Sequence, residues 1–452
     1  AALFAVTMVI TGIPQTTYAK EYWPKGPSVE AKSAIVMEVN TGTILYEKKS
    51  HTKRFPASIT KIMTTLLAIE NCDMDEKVTF SEDAVFKNEG NTSHISRNLG
   101  EKLTVEQCIY AVMLESANEC AYALAEHIGE KLGGDYRTFI DLMNKRAKEL
   151  NTHFNNCNGL PDENHYVCAY DMALISAEAY KNETFRTVCG STSYTIPKTN
   201  KCKEPYYCHN HHKMIYPWQG DDSQLYDYCT GGKTGYTDVA RNTLVSFAEK
   251  DGITLVCVVM KDEKPYHYTD TRKLFEYCFN NFKALNILEN ESSLTSDTKS
   301  TGLQNTNSSF VKLDKDAYII MPKTAEFSDA KFEEDKEIAG TGTVAKLKYT
   351  YADRVVGSAA IVTTGAKVDN SYFSQDKKNN QKGEERVIWI KPVHIVLGIL
   401  ALALLIVLIY FAKRFYDNFY RIQHRWELRR DEKERFREVK KKRYRRKDRI
   451  FK

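Results

Sequence analysis

Two apolar runs, Ser33–Val39 and Thr43–Tyr46, flank Asn40-Thr41-Gly42, and this pattern predicts a β-hairpin. Ile59, Ile62, Met63, Leu66 and Leu67 then recur at the three- and four-residue spacing of a helix face. Thr104-Val105-Glu106-Gln107 has the form of a capping box and opens a further helix. Helical patterns follow over 119–132, 136–150 and 169–181. A second hairpin is predicted over 243–249 and 253–260, turning at Asp251-Gly252, with one more helix over 270–282. Strands at both ends of a helical middle predict an antiparallel sheet with helices packed on it, an α+β layout spanning 20–285.

Beyond that domain the pattern changes. Residues 286–309 are rich in Ser, Thr and Asn and read as a linker. Residues 310–384 carry strand-like runs at Ala317–Met321, Val344–Thr350 and Ala359–Thr363, and predict a small all-β domain followed by a polar stalk. The stretch 385–412 contains an uncharged apolar core, 393–412, long enough to cross a bilayer core of about 30 Å. Residues 413–452 are dense in Lys and Arg, which by the positive-inside rule puts this tail in the cytoplasm. At the other end, residues 1–19 are apolar and close on Thr17-Tyr18-Ala19, as a secretory signal does. Without an initiator Met or a basic start, that signal reads as truncated, with the mature chain beginning near Lys20. The expected protein is exported, stands outside the cell membrane, and is held by one C-terminal span.

Charge and cysteine content refine this picture. The net charge of +5 is concentrated in the tail, so the rest is mildly acidic and no nucleic-acid partner is expected. Eleven Cys, an odd number, leave at least one thiol unpaired, and their spacing gives no disulfide framework. Cys108, Cys120 and Cys257 lie at apolar positions where Cys behaves as a small hydrophobe, so mostly reduced, buried thiols are expected. Cys202, Cys208, His209, His211 and His212 fit no standard zinc spacing, and neither metal nor cofactor is expected.

Three short motifs carry chemistry. Ser58-Ile59-Thr60-Lys61 stands at the start of the amphipathic helix, where i and i+3 side chains share a face. A serine hydroxyl needs a base to become a nucleophile, and a lysine serves only if burial or nearby positive charge lowers its pKa. The same Ser-x-x-Lys spacing recurs at Ser50/Lys53, Ser296/Lys299, Ser309/Lys312 and Ser374/Lys377, but in polar segments without such a helix. Ser116-Ala117-Asn118 lies between two helical patterns, with Ser96-Arg97-Asn98 as its decoy. Lys233-Thr234-Gly235 follows two glycines and precedes an apolar strand. Its charge, hydroxyl and close backbone approach suit a carboxylate.

The order S-x-x-K, S-x-N, K-T-G, with Phe55–Thr64, Asn158-Gly159-Leu160-Pro161, Tyr170–Leu174 and Gly232–Thr237, resembles the low-molecular-mass D-alanyl-D-alanine carboxypeptidases, peptidase family S11. The resemblance covers about Ser28 to Phe282, and extends to the β domain and C-terminal membrane attachment. It implies a serine DD-peptidase fold over 20–285 with an antiparallel sheet and a helical subdomain. It implies that Ser58 is acylated by the penultimate D-Ala carbonyl and Lys61 acts as general base, while Ser116 relays a proton. Asn118 would position the substrate amide and Lys61. Lys233, Thr234 and Gly235 would hold the terminal carboxylate, and the backbone N–H groups of Ser58 and Tyr236 would form the oxyanion hole. Peptidoglycan stem peptides and β-lactams are the expected partners. Two departures stand out: Ala117 where the family often has Gly, and Arg241 where it usually has Gly.

Other readings share these residues. A class A-like β-lactamase needs a carboxylate for deacylation, and only Glu163 is placed to be one. A DD-endopeptidase or transpeptidase uses the same acyl-enzyme. A catalytically idle wall-binding or sensor protein would not need Ser58, Lys61, Ser116 and Lys233 intact.

Overall fold

The computed structural model describes residues 22–87, 92–217, 219–290, 311–313, 315–335, 343–363, 412–414, 426 and 429–440. Its centre is a five-stranded antiparallel sheet. The strands are β1 (Ser33–Glu38), β2 (Ile44–Lys48), β3 (Cys229–Thr237), β4 (Arg241–Lys250) and β5 (Ile253–Asp262). Their spatial order is β2-β1-β5-β4-β3. The two chain-end hairpins thus meet through β1 and β5, and β3 is left as an edge.

Both faces of this sheet are covered, which is why its strands read as nearly continuous apolar runs. Along β5, Val256, Val258 and Met260 enter one core. They meet helices α1 (Lys61–Asn71), α2 (Asn118–Lys131) and α3 (Ala169–Tyr180) through residues such as Ile62, Met63, Leu124 and Met172. The alternate residues Leu255, Cys257 and Val259 enter a second core under α4 (Tyr266–Asn281), with Leu274, Phe275 and Phe279. Each fully buried side chain of this kind contributes about 1.5–3 kcal/mol. That burial, more than helix propensity, holds α1 and the Ser58 turn before it against the sheet.

Most predicted elements appear, with shifted ends. The capping box at Thr104 and Gln107 is present with both reciprocal hydrogen bonds. The β4–β5 turn has Asp251 at φ 52° and Gly252 at φ 75°, the left-handed pair a two-residue hairpin turn requires. The helix expected over 136–150 ends at Arg146, and the one expected from 270 begins at Tyr266. Lys233-Thr234-Gly235 precedes the apolar strand β4 as expected, and itself lies within a further strand, β3, whose glycines conceal the apolar periodicity. Short strand pairs at 77–79 with 102–104, and 193–196 with 206–209, had no clear sequence signal.

A second antiparallel sheet follows. It comprises β6 (Phe282–Asn286), β7 (Val311–Leu313), β8 (Tyr318–Pro322), β9 (Lys331–Asp335), β10 (Thr343–Tyr351) and β11 (Arg354–Thr363). Its order is β6-β8-β11-β10-β9, with β7 also on β11. β6, which the expected boundary at 285 assigns almost wholly to the first domain, is an edge strand of this sheet. Tyr318 ties the two sheets together: its hydroxyl donates to the buried Glu38 carboxylate at 2.7 Å and accepts from Asn40 Nδ2 at 2.8 Å.

The described tail residues form a separate unit, in which 429–440 are helical and exposed. The expected signal, 1–19, and most of the linker, 286–309, lie outside the described residues, as does the apolar core 393–412 apart from Ala412. Among the described residues no helix is long and apolar enough to cross a membrane. All eleven Cys are unpaired, and nine of them are buried.

Candidate active site

Ser58 lies in a single 3₁₀ turn, Ala57–Thr60, directly before α1, and Lys61 is the first residue of α1. The burial of Ile59 and Ile62 beside them fixes the turn in the core. Ala57 has φ 53°, a left-handed backbone that costs a non-glycine residue about 1 kcal/mol or more. The chain is held there from two sides. A Cβ on Gly235 would come 2.9 Å from the Ser58 backbone nitrogen, and one on Gly159 would come 1.8 Å from the Ala57 carbonyl oxygen. Thr243 Oγ1 on β4 donates to the Pro56 carbonyl at 2.8 Å and staples the turn to the sheet.

Lys61 is fully buried, with Nζ 3.0 Å from Ser58 Oγ, 2.8 Å from Asn118 Oδ1 and 2.7 Å from the Asn158 carbonyl. Burial, reinforced by the positive charge of Lys233, pushes its pKa well below the ordinary lysine value. The neutral amine this favours has a lone pair that can accept a proton, which is what a base requires.

Ser116 and Asn118 come from an irregular junction. The π-helical turn Ala111–Glu115 ends at Ser116 in a left-handed conformation (φ 61°, ψ 29°), and α2 begins at Asn118. This kink turns both side chains toward Ser58 instead of continuing one helix. Ser116 Oγ is buried and has no hydrogen-bond partner among the described residues. A hydroxyl so placed is usually partnered, so this one is available to a bound group.

On β3, Lys233 is buried, its Nζ 3.0 Å from the Thr234 carbonyl. Burial lowers its pKa to about 7, against the opposing pull of Glu115. Thr234, Gly235 and Tyr236 line the same cavity as Ser58, Ser116 and Asn118, with a volume of about 1010 Å³. All eight predicted site residues therefore converge: six line the cavity, and the two lysines are buried at its wall. Two of the decoys are engaged elsewhere: Ser50 donates to Glu47 Oε2 at 2.8 Å, and Asn98 is spent on Glu101. Ser296/Lys299, Ser309 and Ser374/Lys377 lie outside the described residues.

Arg241 has φ 56°, a conformation that suits glycine. Its guanidinium forks onto Glu263, at 3.1 and 2.7 Å, at the cavity rim. The fork uses the cation within the protein. Glu163 is absent from the cavity lining and borders a separate pocket of about 290 Å³.

Sequence reasoning missed the Asn158 carbonyl as a Lys61 partner, although the word Asn158-Gly159-Leu160-Pro161 was itself conspicuous. It also missed Glu263, Lys264 and His267 at the rim, which come from the β5–α4 connection and carry no motif. Of the Cys/His segment before β3, His212 is buried and bonded to Ser246 Oγ at 2.8 Å, and His211 pairs with Glu115. Among the described residues one grouping has ligand-like spacing, Cys72, Glu76 and His127, and there Glu76 is already paired with Lys131.

The family model for D-alanyl-D-alanine carboxypeptidase, peptidase S11, matches residues 20–264. The chain is 34% identical over 264 residues to D-alanyl-D-alanine carboxypeptidase DacF of Bacillus subtilis, covering 56% of this chain and 63% of that one. A D-alanyl-D-alanine carboxypeptidase of Streptomyces sp. strain K15 is 32% identical over 266 residues, covering 56% of this chain and 88% of that one. The crystal structure of the Streptomyces K15 DD-transpeptidase superposes with a TM-score of 0.51 at 32% identity, covering 57% of this chain and all (100%) of that one. Penicillin binding protein 5 of Haemophilus influenzae gives a TM-score of 0.58 at 24% identity over 75% of this chain and 98% of that one, a likeness of fold.

Proposed function

The chain belongs to the D-alanyl-D-alanine carboxypeptidase family, peptidase S11, and on that premise we propose that it removes the terminal D-alanine of peptidoglycan stem pentapeptides. The observation that carries the proposal is the 3.0 Å contact between Ser58 Oγ and a lysine whose burial favours the neutral amine. Lys61 takes the Ser58 proton as Oγ attacks the carbonyl of the penultimate D-Ala. The backbone N–H groups of Ser58 and Tyr236 receive the oxyanion, an arrangement the close approach of Gly235 to Ser58 supports. Ser116 passes the proton to the leaving D-Ala amine, and Asn118 holds Lys61 and the substrate amide. Lys233 and Thr234 bind the terminal carboxylate. Water then hydrolyses the ester. A β-lactam acylates Ser58 by the same attack.

One relative is named a DD-transpeptidase, which favours a second reading in which an amine, not water, accepts the acyl group. The β-lactamase reading is less favoured, since Glu163 lines the second pocket and not the cavity that holds Ser58. The domain plan 20–285, 286–309 and 310–384 is retained as a proposal. So is the topology: an exported body, a span at 393–412 and a cytoplasmic tail at 413–452.

The deciding experiment incubates the protein with a muropeptide pentapeptide and weighs the product. Loss of one alanine is expected, with none from Ser58→Ala. Adding an acceptor amine separates the two readings through the ratio of hydrolysed to transferred product. Fluorescent penicillin labelling that survives Ser58→Ala would overturn the nucleophile assignment.

A further inference from the structure

The pocket of about 290 Å³ beside the cavity is lined by Lys53, Arg54 and Lys261 against a single carboxylate, Glu163. None of the three cations is ion-paired within 4.0 Å among the described residues. Each is nonetheless placed. Arg54 Nε donates to Ser33 Oγ at 2.7 Å and Nη2 to the Lys32 carbonyl at 3.3 Å, while its backbone bridges Val167. Lys53 Nζ sits 4.0 Å above the Tyr166 ring, and Lys261 is the penultimate residue of β5, with φ 54°. The pocket therefore holds an excess of positive charge that no carboxylate of the described residues pairs within 4.0 Å.

Its position relative to β3 gives this charge a use. The reading of the site above, on which this inference rests, puts the substrate's terminal carboxylate at Lys233 and Thr234 and its acyl carbonyl at Tyr236. An extended acyl donor thus runs antiparallel to β3, and its upstream residues leave toward Thr237, Asp238 and Val239, all of which line the cavity. Val239 also lines the cationic pocket. We propose that the Lys53–Arg54–Lys261 pocket is a subsite for a carboxylate carried by the stem peptide upstream of the scissile D-Ala-D-Ala. The enzyme then discriminates between stem peptides whose upstream side chain ends in a carboxylate and those in which that group is an amide or an amine.

The test uses the full chain and N-acetylated X-D-Ala-D-Ala peptides whose X side chain ends in a carboxylate, its amide, or an amine of similar length. The carboxylate peptide should exceed the amide peptide in kcat/KM by roughly ten-fold, the scale of a few partly exposed ion-pair contacts, and the amine peptide should rank last. The preference should shrink as salt shortens the screening length to about 3 Å at 1 M. A Lys53→Ala/Lys261→Ala double variant should erase it, while leaving fluorescent-penicillin acylation and turnover of the amide peptide within about two-fold. Equal kcat/KM for the three peptides in the wild type, or a preference that persists in the double variant, overturns the subsite. Failure of the wild type to release D-Ala from any of them sinks the carboxypeptidase reading instead. In that event, peptide binding to the Ser58→Ala chain by calorimetry still judges the pocket: tighter binding of the carboxylate peptide supports it, and equal affinities refute it.

Discussion

Replacing Asn118 by aspartate changes one atom type at the point where Lys61 is most sensitive. Asn118 Oδ1 lies 2.8 Å from Lys61 Nζ, and both side chains are buried. A carboxylate at that distance attracts the ammonium by about 6 kcal/mol at an effective dielectric constant of about 20. The new carboxylate is itself desolvated, so about half of this is a safer figure, and it still corresponds to about a hundred-fold in rate. The aspartate stabilises the protonated lysine, and a protonated lysine cannot take the Ser58 proton. Acylation by fluorescent penicillin at neutral pH should therefore fall by about a hundred-fold or more in Asn118→Asp and recover as pH rises. Asn118→Ala removes an acceptor without adding charge. It should lose about five- to a hundred-fold, as the deletion of a buried hydrogen-bond partner does, but without a new demand for alkaline pH. The assay is the second-order acylation rate measured across pH for the wild type and both variants. Identical pH profiles for Asn118→Asp and Asn118→Ala would refute Lys61 as the proton acceptor.

Lys233 carries its charge only below a pKa of about 7, so kcat/KM for a carboxylate-terminated peptide should decline as pH rises through that value. Lys233→Ala should flatten that decline and cost about ten- to a hundred-fold below it, as loss of a charge-assisted contact of about 1.5–3 kcal/mol predicts. Gly235→Ala should abolish penicillin labelling and lower the melting temperature, because the added methyl meets Thr243 Oγ1 at 2.4 Å and the Ser58 nitrogen at 2.9 Å. Tyr318→Phe removes a donor to Glu38, whose pKa burial already raises above the ordinary 4.5. Stability from such a group is present at low pH and lost as pH rises, so the variant should be destabilised by about 1–3 kcal/mol at pH 7. It should be destabilised less near pH 4, with acylation unchanged. Finally, protease added to intact, wall-stripped cells should digest the region before Val393 and spare a small basic fragment. Truncation before Val393 should give a secreted, active enzyme, and cleavage confined to the Lys440–Lys447 cluster would reverse the topology.

Much of this was legible because the chemistry sits where patterning is strongest. Ser58 and Lys61 open a helix whose apolar face is unmistakable, and β4 and β5 announce themselves by unbroken hydrophobicity. What was hidden has physical causes. β3 is built around three glycines, which let backbones approach, and three threonines, so it carries almost none of the apolar alternation that marks a strand. The kink at Ser116 depends on a left-handed residue that is not glycine, and no local rule anticipates serine there. The Asn158 carbonyl is a backbone atom, to which residue identity gives no clue. Glu263 reaches the rim only because β5 and α4 happen to join beside Arg241, a proximity set by the tertiary fold.

Gly159 and Gly235 close on the Ser58 backbone from opposite sides, and this divides the ways in which the enzyme can diverge. Any side chain at either position collides with main-chain atoms, so drift cannot gradually retune the nucleophile's posture. Variation that alters drug susceptibility while preserving turnover must accumulate at the periphery, where Arg241 and Glu263 meet in solvent and tolerate exchange. Lineages descended from such an ancestor would then differ in which molecules they admit long before they differ in how they cut. An inhibitor anchored on the inner backbone would meet fewer escape routes than one that relies on the outer ion pair.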